Sequence, residues 1–330
     1  MRIATLTMNP ALDVHATAPS VRPTHKIRTV GDRTDPGGGG INVARVLRAL
    51  GADEWAEVMA DVLVGGATGV LLEELLTESG MHWQALPIRG RTRISVNVLD
   101  HSSGLEYRFV PEGPLVSPDE WGAALQVIER SEATWLVASG SLPRGVPCDF
   151  YARCCAIARR RGQKFVLDTS GPALRAAAVA GGAELLKMSL GELEFLAGNP
   201  LPDITLQERE INRLLRAGAA NRIAVSLGAD GAILASESDF VRLPALPVEA
   251  RGAVGAGDSF LAGLVFGLAR GWTERNSLGL ALAAGAAAVS TVGTAQVNRE
   301  EVEALFEEWR RTGAAYQAGA CVSDGVRVSA

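Results

Sequence analysis

Arg251-Gly252-Ala253-Val254-Gly255-Ala256-Gly257-Asp258-Ser259-Phe260-Leu261-Ala262-Gly263-Leu264 is a glycine-rich turn running directly into an apolar helix. The first N–H groups of such a helix lack internal partners, and the helix dipole adds roughly half a positive charge there. Phosphate binds well at such a place. Asp258 stands just past the turn, against an anion hole formed by Gly255, Ala256 and Gly257. A carboxylate so placed can accept the proton of a hydroxyl that attacks a phosphoryl group. Taken alone, the stretch also reads as an ordinary loop in which Asp258 or Ser259 caps a helix. The dinucleotide fingerprint is excluded, because Phe260 stands where its third glycine belongs, and no Gly-x-x-x-x-Gly-Lys-Ser/Thr occurs in the chain.

Working outward, Asp35-Pro36-Gly37-Gly38-Gly39-Gly40-Ile41-Asn42-Val43-Ala44-Arg45 is a second glycine run leading into a helix, with apolar positions 43, 46, 47 and 50 on one face. Consecutive glycines carry a large backbone-entropy cost, which predicts close approach of a ligand to Gly38, Gly39 and Gly40, with Asn42 as its polar contact. The opening strand, Ile3 to Met8, ends in Asn9-Pro10-Ala11-Leu12-Asp13 and delivers Asp13 to the strand's carboxyl end, where open α/β sheets place ligands. Other strands end in Ser139-Gly140-Ser141-Leu142-Pro143, Asp168-Thr169-Ser170-Gly171 and Ser226-Leu227-Gly228-Ala229-Asp230-Gly231. One more places Lys187, Ser189 and Glu192 at the same rim, Glu192 being either a surface helix residue or a water-mediated Mg²⁺ holder.

Residues 14–35 read as short strands and turns, and 91–110 as a hairpin turning at Ser102-Ser103-Gly104. Together they predict a small sheet outside the main domain, whose Lys26, Arg93 and Arg108 suit a second phosphate. Gly65-Gly66-Ala67-Thr68-Gly69 precedes a helix over 70–79. From Ser117 onward strands and helices alternate, the pattern of a mostly parallel sheet covered on both faces. Capping boxes are expected at Ser117–Glu120 and Thr205–Glu208, and the last long helix starts at Asn298–Glu301, with little pattern after Thr312.

The 330 residues suffice for one α/β domain with an embellishment, and the 47% hydrophobic share describes a soluble globular chain. A net charge of −5 argues against a nucleic-acid binder. Cys148, Cys154, Cys155 and Cys321 show no Cys-x-x-Cys spacing, which fits a reduced, cytoplasmic setting. No signal-peptide pattern opens the chain, and the Ala-rich stretch near 278–292 is too weakly hydrophobic for a bilayer.

In register, Thr7 to Asp13, Gly37 to Arg45, Ser139 to Pro143, Ser226 to Gly231 and Val254 to Ser259 resemble the phosphofructokinase B branch of the ribokinase-like sugar kinases. The resemblance implies a three-layer fold with a mostly parallel central sheet between helices, a β-sheet lid over the sugar that mediates homodimerisation, and ATP across the other half of the cleft. It makes Asp258 the general base and Asp13, Gly39, Gly40 and Asn42 sugar contacts. Lys26, Arg93, Arg108 and Ser141 would surround the sugar phosphate; Lys187, Ser226, Gly228 and Gly231 would contact the nucleotide. Glu192 becomes the Mg²⁺-associated acid, and the backbone around Gly252, Val254, Thr291 and Gly293 a K⁺ site.

The unbroken Gly37–Gly40 run, Gly65–Gly69 and Tyr107–Val110 look most like the 6-phosphofructokinase subgroup, whereas Gly90-Arg91-Thr92-Arg93-Ile94-Ser95-Val96 is similar to 1-phosphofructokinases. Fructose 6-phosphate is therefore the expected acceptor, with fructose 1-phosphate or tagatose 6-phosphate as alternatives and a non-catalytic sugar-phosphate sensor as the reading from another class. Two features depart from the family: Lys187-Met188-Ser189-Leu190-Gly191-Glu192 replaces Lys-Pro-Asn-x-x-Glu, and residues 51–61 are longer and more acidic than usual.

Overall fold

The computed structural model describes residues 1–249, 252, 254–290 and 297–320, with side chains through 311. The chain opens with strands β1 (Arg2–Thr7), β2 (Ala11–Ala18) and β3 (Val30–Gly37), helix α1 (Gly39–Ala49), β4 (Glu57–Val64), α2 (Gly66–Glu78) and β5 (His82–Pro87). A hairpin of β6 (Arg93–Asp100) and β7 (Glu106–Phe109) follows. Alternation then sets in with α3 (Pro118–Arg130), β8 (Trp135–Ser139), α4 (Phe150–Arg160), β9 (Lys164–Asp168), α5 (Gly171–Ala180) and β10 (Ala183–Ser189). It continues with α6 (Leu190–Ala197), α7 (Ile204–Arg216), β11 (Ala220–Ser226), β12 (Ala232–Ser236) and β13 (Phe240–Leu243). Three helices close the chain: α8 (Ala256–Ala269), α9 (Glu274–Ser290) and α10 (Arg299–Ala320).

Nine strands make one sheet in the order β13-β12-β11-β10-β9-β8-β1-β4-β5. Neighbours are parallel from β11 to β5, and β12 and β13 pair antiparallel at the edge. After β1 the chain winds one way through β4 and β5, then returns to the other side of β1 with β8 and moves on through β9, β10 and β11. The connections leaving β1 and β8 therefore diverge, which opens the crevice where such sheets bind ligands.

Strands covered on both faces read as continuous apolar runs, and all five residues of β8 are buried. One cluster joins Ile41, Val43, Phe260, Leu264 and Leu278 to one face of the sheet, and another joins Phe150, Leu174, Ile211 and Leu214 to the other. Ser259 to Leu268 of α8 are all buried. A helix apolar all round is one enclosed by protein, so its first turn, with Asp258, is drawn against the sheet.

The predicted small sheet is present as β3-β2-β6-β7, with β2 parallel to β6 and the other pairs antiparallel. Ser117 and Glu120 form the expected capping box of α3. Thr205 does not cap α7: Asp203 precedes it, and its Oδ1 accepts the Leu206 N–H at 2.9 Å, so the helix starts one residue before Thr205. The helix after the Gly65 turn starts at Gly66 rather than at 70, and α10 runs past Thr312 to Ala320. The acidic stretch 51–61 finds partners: Asp53 with Arg48 at 2.7 Å, Glu54 with Arg299 at 2.5 Å, and Glu57 with Arg2 at 2.8 Å.

Candidate active site

Both glycine runs end at the switch point between β1 and β8. A side chain on Gly40 would sit 2.7 Å from the Leu6 carbonyl oxygen, and one on Gly39 would sit 2.8 Å from the Ser139 backbone carbon. Gly38 caps α1 with φ 124° and leaves no room against Thr7. Gly37 makes way for the Asp13 carboxylate. The sequence assigned these glycines to a ligand; the structure gives each a close neighbour in the protein itself, so the run presses α1 onto the carboxyl ends of β1 and β8.

That pressure carries Asn42 to the first turn of α8, where its Nδ2 donates to Asp258 Oδ2 at 2.9 Å. Ser139 Oγ, at the end of β8, donates to Asp258 Oδ1 at 3.4 Å. Gly255 caps α8 in the left-handed conformation, φ 78°, and the first intrahelical bond runs from Ser259 N–H to Gly255 O. The N–H groups of Ala256, Gly257 and Asp258 precede that bond, and form the orphan donors of a helix start.

Burial, reinforced by the nearby Asp168 carboxylate, pushes the Asp258 pKa up to about 6, against the pull of Asn42, Lys187 and Ser139. The Lys187 ammonium pairs with Asp168 at 2.9 Å, both side chains largely buried. Burial works against its charge, but Asp168, Asp258 and Glu192 together raise the Lys187 pKa, so it stays an ammonium. A methyl group at 257 would lie 3.0 Å from Lys187 Nζ. Glycine there lets a cation stand beside the start of α8, and an ammonium next to orphan N–H groups makes a strong anion site.

On the other side of Asn42 lies Asp13, in β2. Burial raises its pKa, and His15, Arg93, Arg45 and Arg108 oppose the rise. Arg93 donates to the carbonyls of Pro111 and Asn9, both at 2.8 Å, and its Nε is buried without a partner among the described residues. The Asn9 amide in turn reaches Glu112 O at 2.9 Å and Ser141 Oγ at 3.1 Å. Asn9 thus brings Arg93 and Ser141 together. Arg108 is exposed on β7 and donates to Asn97 Oδ1 at 3.3 Å, while Lys26 stands apart in the exposed connector between β2 and β3.

On the nucleotide side, Ser189 and Ser226 are opposed in the β10–β11 register. Gly228 to Asp230 form a short 3-10 turn, closed by a hydrogen bond from Leu227 N–H to Gly231 O at 2.8 Å. Ser189 and Glu192 form a full capping box on α6: Glu192 Oε2 accepts from the Ser189 N–H at 2.6 Å and from its hydroxyl at 2.8 Å. Ser-x-x-Glu after a strand was a legible capping signal that the sequence reading passed over. The box keeps the Glu192 carboxylate at the mouth beside Lys187 and Asp168, which fits an outer, water-mediated association with Mg²⁺ better than direct ligation. Among the described residues, no three His, Cys, Asp or Glu side chains cluster as metal ligands. Gly252 donates to Val289 O at 3.1 Å and Val254 is buried; Thr291 and Gly293 lie outside the described residues.

Four participants were absent from the predicted set. Asn9 and Ser139 lie inside quoted strand ends; Asp168 ends β9, and only the sheet order places it beside Lys187; Arg45 belongs to α1 and reaches Asn42.

The sequence profile of the pfkB family of carbohydrate kinases matches residues 8–301. The ATP-dependent 6-phosphofructokinase isozyme 2 of Mycobacterium tuberculosis is 42% identical over 308 residues, which is 93% of this chain and 89% of that protein. The crystal structure of Escherichia coli phosphofructokinase-2 with fructose-6-phosphate aligns with a TM-score of 0.87 at 31% identity, over 94% of this chain and 99% of the other. The same Escherichia coli enzyme with potassium aligns with a TM-score of 0.89 at 32% identity, with the same shares covered. With the nine-stranded sheet, the paired glycine turns and this likeness over nearly its whole length, the chain belongs to the pfkB family of carbohydrate kinases.

Proposed function

We propose that the protein is an ATP-dependent 6-phosphofructokinase, which transfers the γ-phosphoryl group of ATP to the 1-hydroxyl of fructose 6-phosphate. The observation that carries this reading is Asp258: a carboxylate with a pKa of about 6, in the first turn of α8, beside a buried ammonium and orphan backbone N–H groups. The choice of acceptor is supported by what the Mycobacterium tuberculosis and Escherichia coli relatives are named for and bind.

In this reading the sugar lies over Asp13, Asn42 and the Gly38–Gly40 turn, with its phosphate met by Arg93, Arg108, Lys26 and Ser141. ATP lies along Ser226, Gly228 and Gly231. Its γ-phosphate faces Gly255, Ala256, Gly257 and Lys187. The sugar O1 attacks phosphorus as the bond to the β–γ bridging oxygen breaks, ADP leaves with that electron pair, and the O1 proton passes to Asp258. Mg²⁺ would supply charge neutralisation at the phosphates, Glu192 would hold it through water, and Ser189 would stand on the nucleotide side with Ser226. K⁺ near Gly252 and Val254 is proposed from the potassium complex of the relative. The small sheet acts as the lid and, through its exposed face, as the seat of a homodimer. The buried, unlinked Cys154 and Cys155 support a cytoplasmic setting.

General-base assistance is worth roughly 10²–10⁴-fold. Asp258→Asn is therefore expected to lower kcat by about that factor, while far-UV circular dichroism and ATP affinity stay as they are. The base must be ionised, so in the unaltered enzyme kcat/KM should be level above the pKa of about 6 and fall tenfold per pH unit below it. Full turnover in Asp258→Asn sinks the mechanism. A panel of fructose 6-phosphate, fructose 1-phosphate and tagatose 6-phosphate decides the acceptor, and preference for either of the latter two replaces it.

A further inference from the structure

The geometry points to Arg45 as a positioning residue that locks the Asn42 amide in one orientation, N–H toward Asp258, and so keeps the base ready to accept a proton. The inference rests on the reading of Asp258 as that base. An amide side chain is nearly symmetric in shape, so its neighbours decide which end points where. Asn42 is 7% exposed and has two such neighbours, one at each end. Arg45 Nη2 donates to Asn42 Oδ1 at 3.1 Å, and Asn42 Nδ2 donates to Asp258 Oδ2 at 2.9 Å. A guanidinium has no acceptor and an ionised carboxylate has no donor, so both neighbours demand the same orientation.

The spacing that permits this is helical. Asn42 and Arg45 are three residues apart on α1, and therefore neighbours on its surface. The same Nη2 is also held by the Pro36 carbonyl, at the end of β3, which stops the guanidinium from swinging away. Burial weighs against a charge here; Asp35, Asp13 and Asp258 surround it and favour it. No carboxylate forms an ion pair with Arg45 among the described residues, so its nearest partners are the Pro36 carbonyl and the Asn42 amide.

The lock matters when the proton arrives. With Arg45 removed, the Asn42 amide is free to turn its carbonyl toward a protonated Asp258 and accept from it, which stabilises the acid form. The other charged and polar groups facing Asp258 are Asp168 on β9, Lys187 on β10 and Ser139 on β8, and none of them touches Arg45. Asp13, Asp35 and Arg33 face the guanidinium from the small sheet.

The test is the pH profile of kcat/KM for Arg45→Met, which keeps an apolar stem. We expect its acid limb to move up by about one pH unit, the loss of roughly one hydrogen bond to a charged group, so that kcat/KM falls about twofold at pH 7 and roughly tenfold below pH 6. In an Asn42→Ala background, Arg45→Met should add no further loss. Arg45→Lys, whose single ammonium cannot hold both Pro36 and Asn42 as a guanidinium fork does, should give an intermediate limb, and it serves if Arg45→Met does not fold. An acid limb that stays in place in a folded variant, or effects at 42 and 45 that simply add, overturns the proposal. Turnover surviving in Asp258→Asn marks failure of the base assignment instead.

Discussion

In the nine-stranded sheet every residue of β8 is buried, whereas in the small sheet every residue of β7 is exposed. The contrast extends to their polar groups. At the end of β8, Ser139 joins Asn42, Arg45 and Asp258 in one hydrogen-bonded chain, with the Lys187–Asp168 ion pair acting on Asp258 from nearby. On β7, Arg108 makes one long hydrogen bond to Asn97, and Tyr107 and Phe109 face outward. The large sheet thus holds chemistry preorganised in a largely buried setting, where charges act strongly and need little rearrangement during reaction. The small sheet holds charge and apolar surface in reserve, waiting for something to cover it. If that division is right, changes in the first region should strike turnover, and changes in the second should strike binding or assembly.

Gly39→Ala probes the first region and carries the largest expected effect. Alanine is the better helix former by about 1 kcal/mol, so propensity alone predicts a more stable protein. The added methyl, however, would lie 2.8 Å from backbone at Ser139, and backbone cannot turn aside like a side chain. Overpacking of this kind costs typically 1–3 kcal/mol, so the clash outweighs propensity. Separating α1 from β8 also draws Asn42 and Ser139 apart around Asp258, and a 1 Å misplacement can remove about 10²-fold in rate. Thermal unfolding and kcat should both fall. A stabilised, fully active variant would show that neither the Ser139 backbone nor a ligand requires glycine at this position.

Arg108→Ala probes the second region. A charge-assisted hydrogen bond to phosphate is worth roughly 1.5–3 kcal/mol, less in an exposed site, so KM for the sugar phosphate should rise about tenfold to thirtyfold with kcat nearly unchanged. A fall in kcat with KM unaltered would break the proposed division between the sheets, because it would put Arg108 in the transition state rather than in substrate capture. Arg93 is not an equivalent probe. Its guanidinium also ties β6 to Asn9 and Pro111, so its removal disturbs the fold as well as the charge.

Much of this arrangement was legible because its signals are local. The glycine run before α1, the hairpin of β6 and β7 and the capping box at Ser117 are each decided within a dozen residues, and each formed where the pattern put it; of the run before α8, Arg251 and Ala253 lie outside the described residues. What escaped depends on neighbours distant in sequence. Asp168 and Lys187 pair only because β9 lies beside β10, and sheet order is not written in any one strand. Gly39 and Gly40 show the same limit: glycine announces a close approach but not everything that approaches, and the protein partners, Ser139 and Leu6, come from two other strands. Arg45 could have been flagged by its i+3 spacing from Asn42, but its fixed position depends on Pro36 at the end of β3.

The smallest expected effect concerns what covers the small sheet. Ile94, Tyr107 and Phe109 place apolar surface on one face of β6 and β7, where Val96 opposes Phe109 and Val98 opposes Tyr107, with Phe109 at 60% exposure. An apolar strand face left in water is a site for association, and a second copy offers a matching face by symmetry. Phe109→Ser removes the most exposed of the three strand residues on β6 and β7, and loss of one buried aromatic side chain costs about 1.5–3 kcal/mol. On the proposed homodimer, sedimentation velocity should show Phe109→Ser shifting the protein toward monomer, with the dissociation constant raised roughly tenfold or more, while the melting of the nine-stranded core stays put. An unaltered protein that is monomeric at micromolar concentration, or a Phe109→Ser dimer of undiminished affinity, would mean that the face is closed by other means. The reserve held in the small sheet would then be its Asp13 and Arg108 face alone, which serves substrate capture.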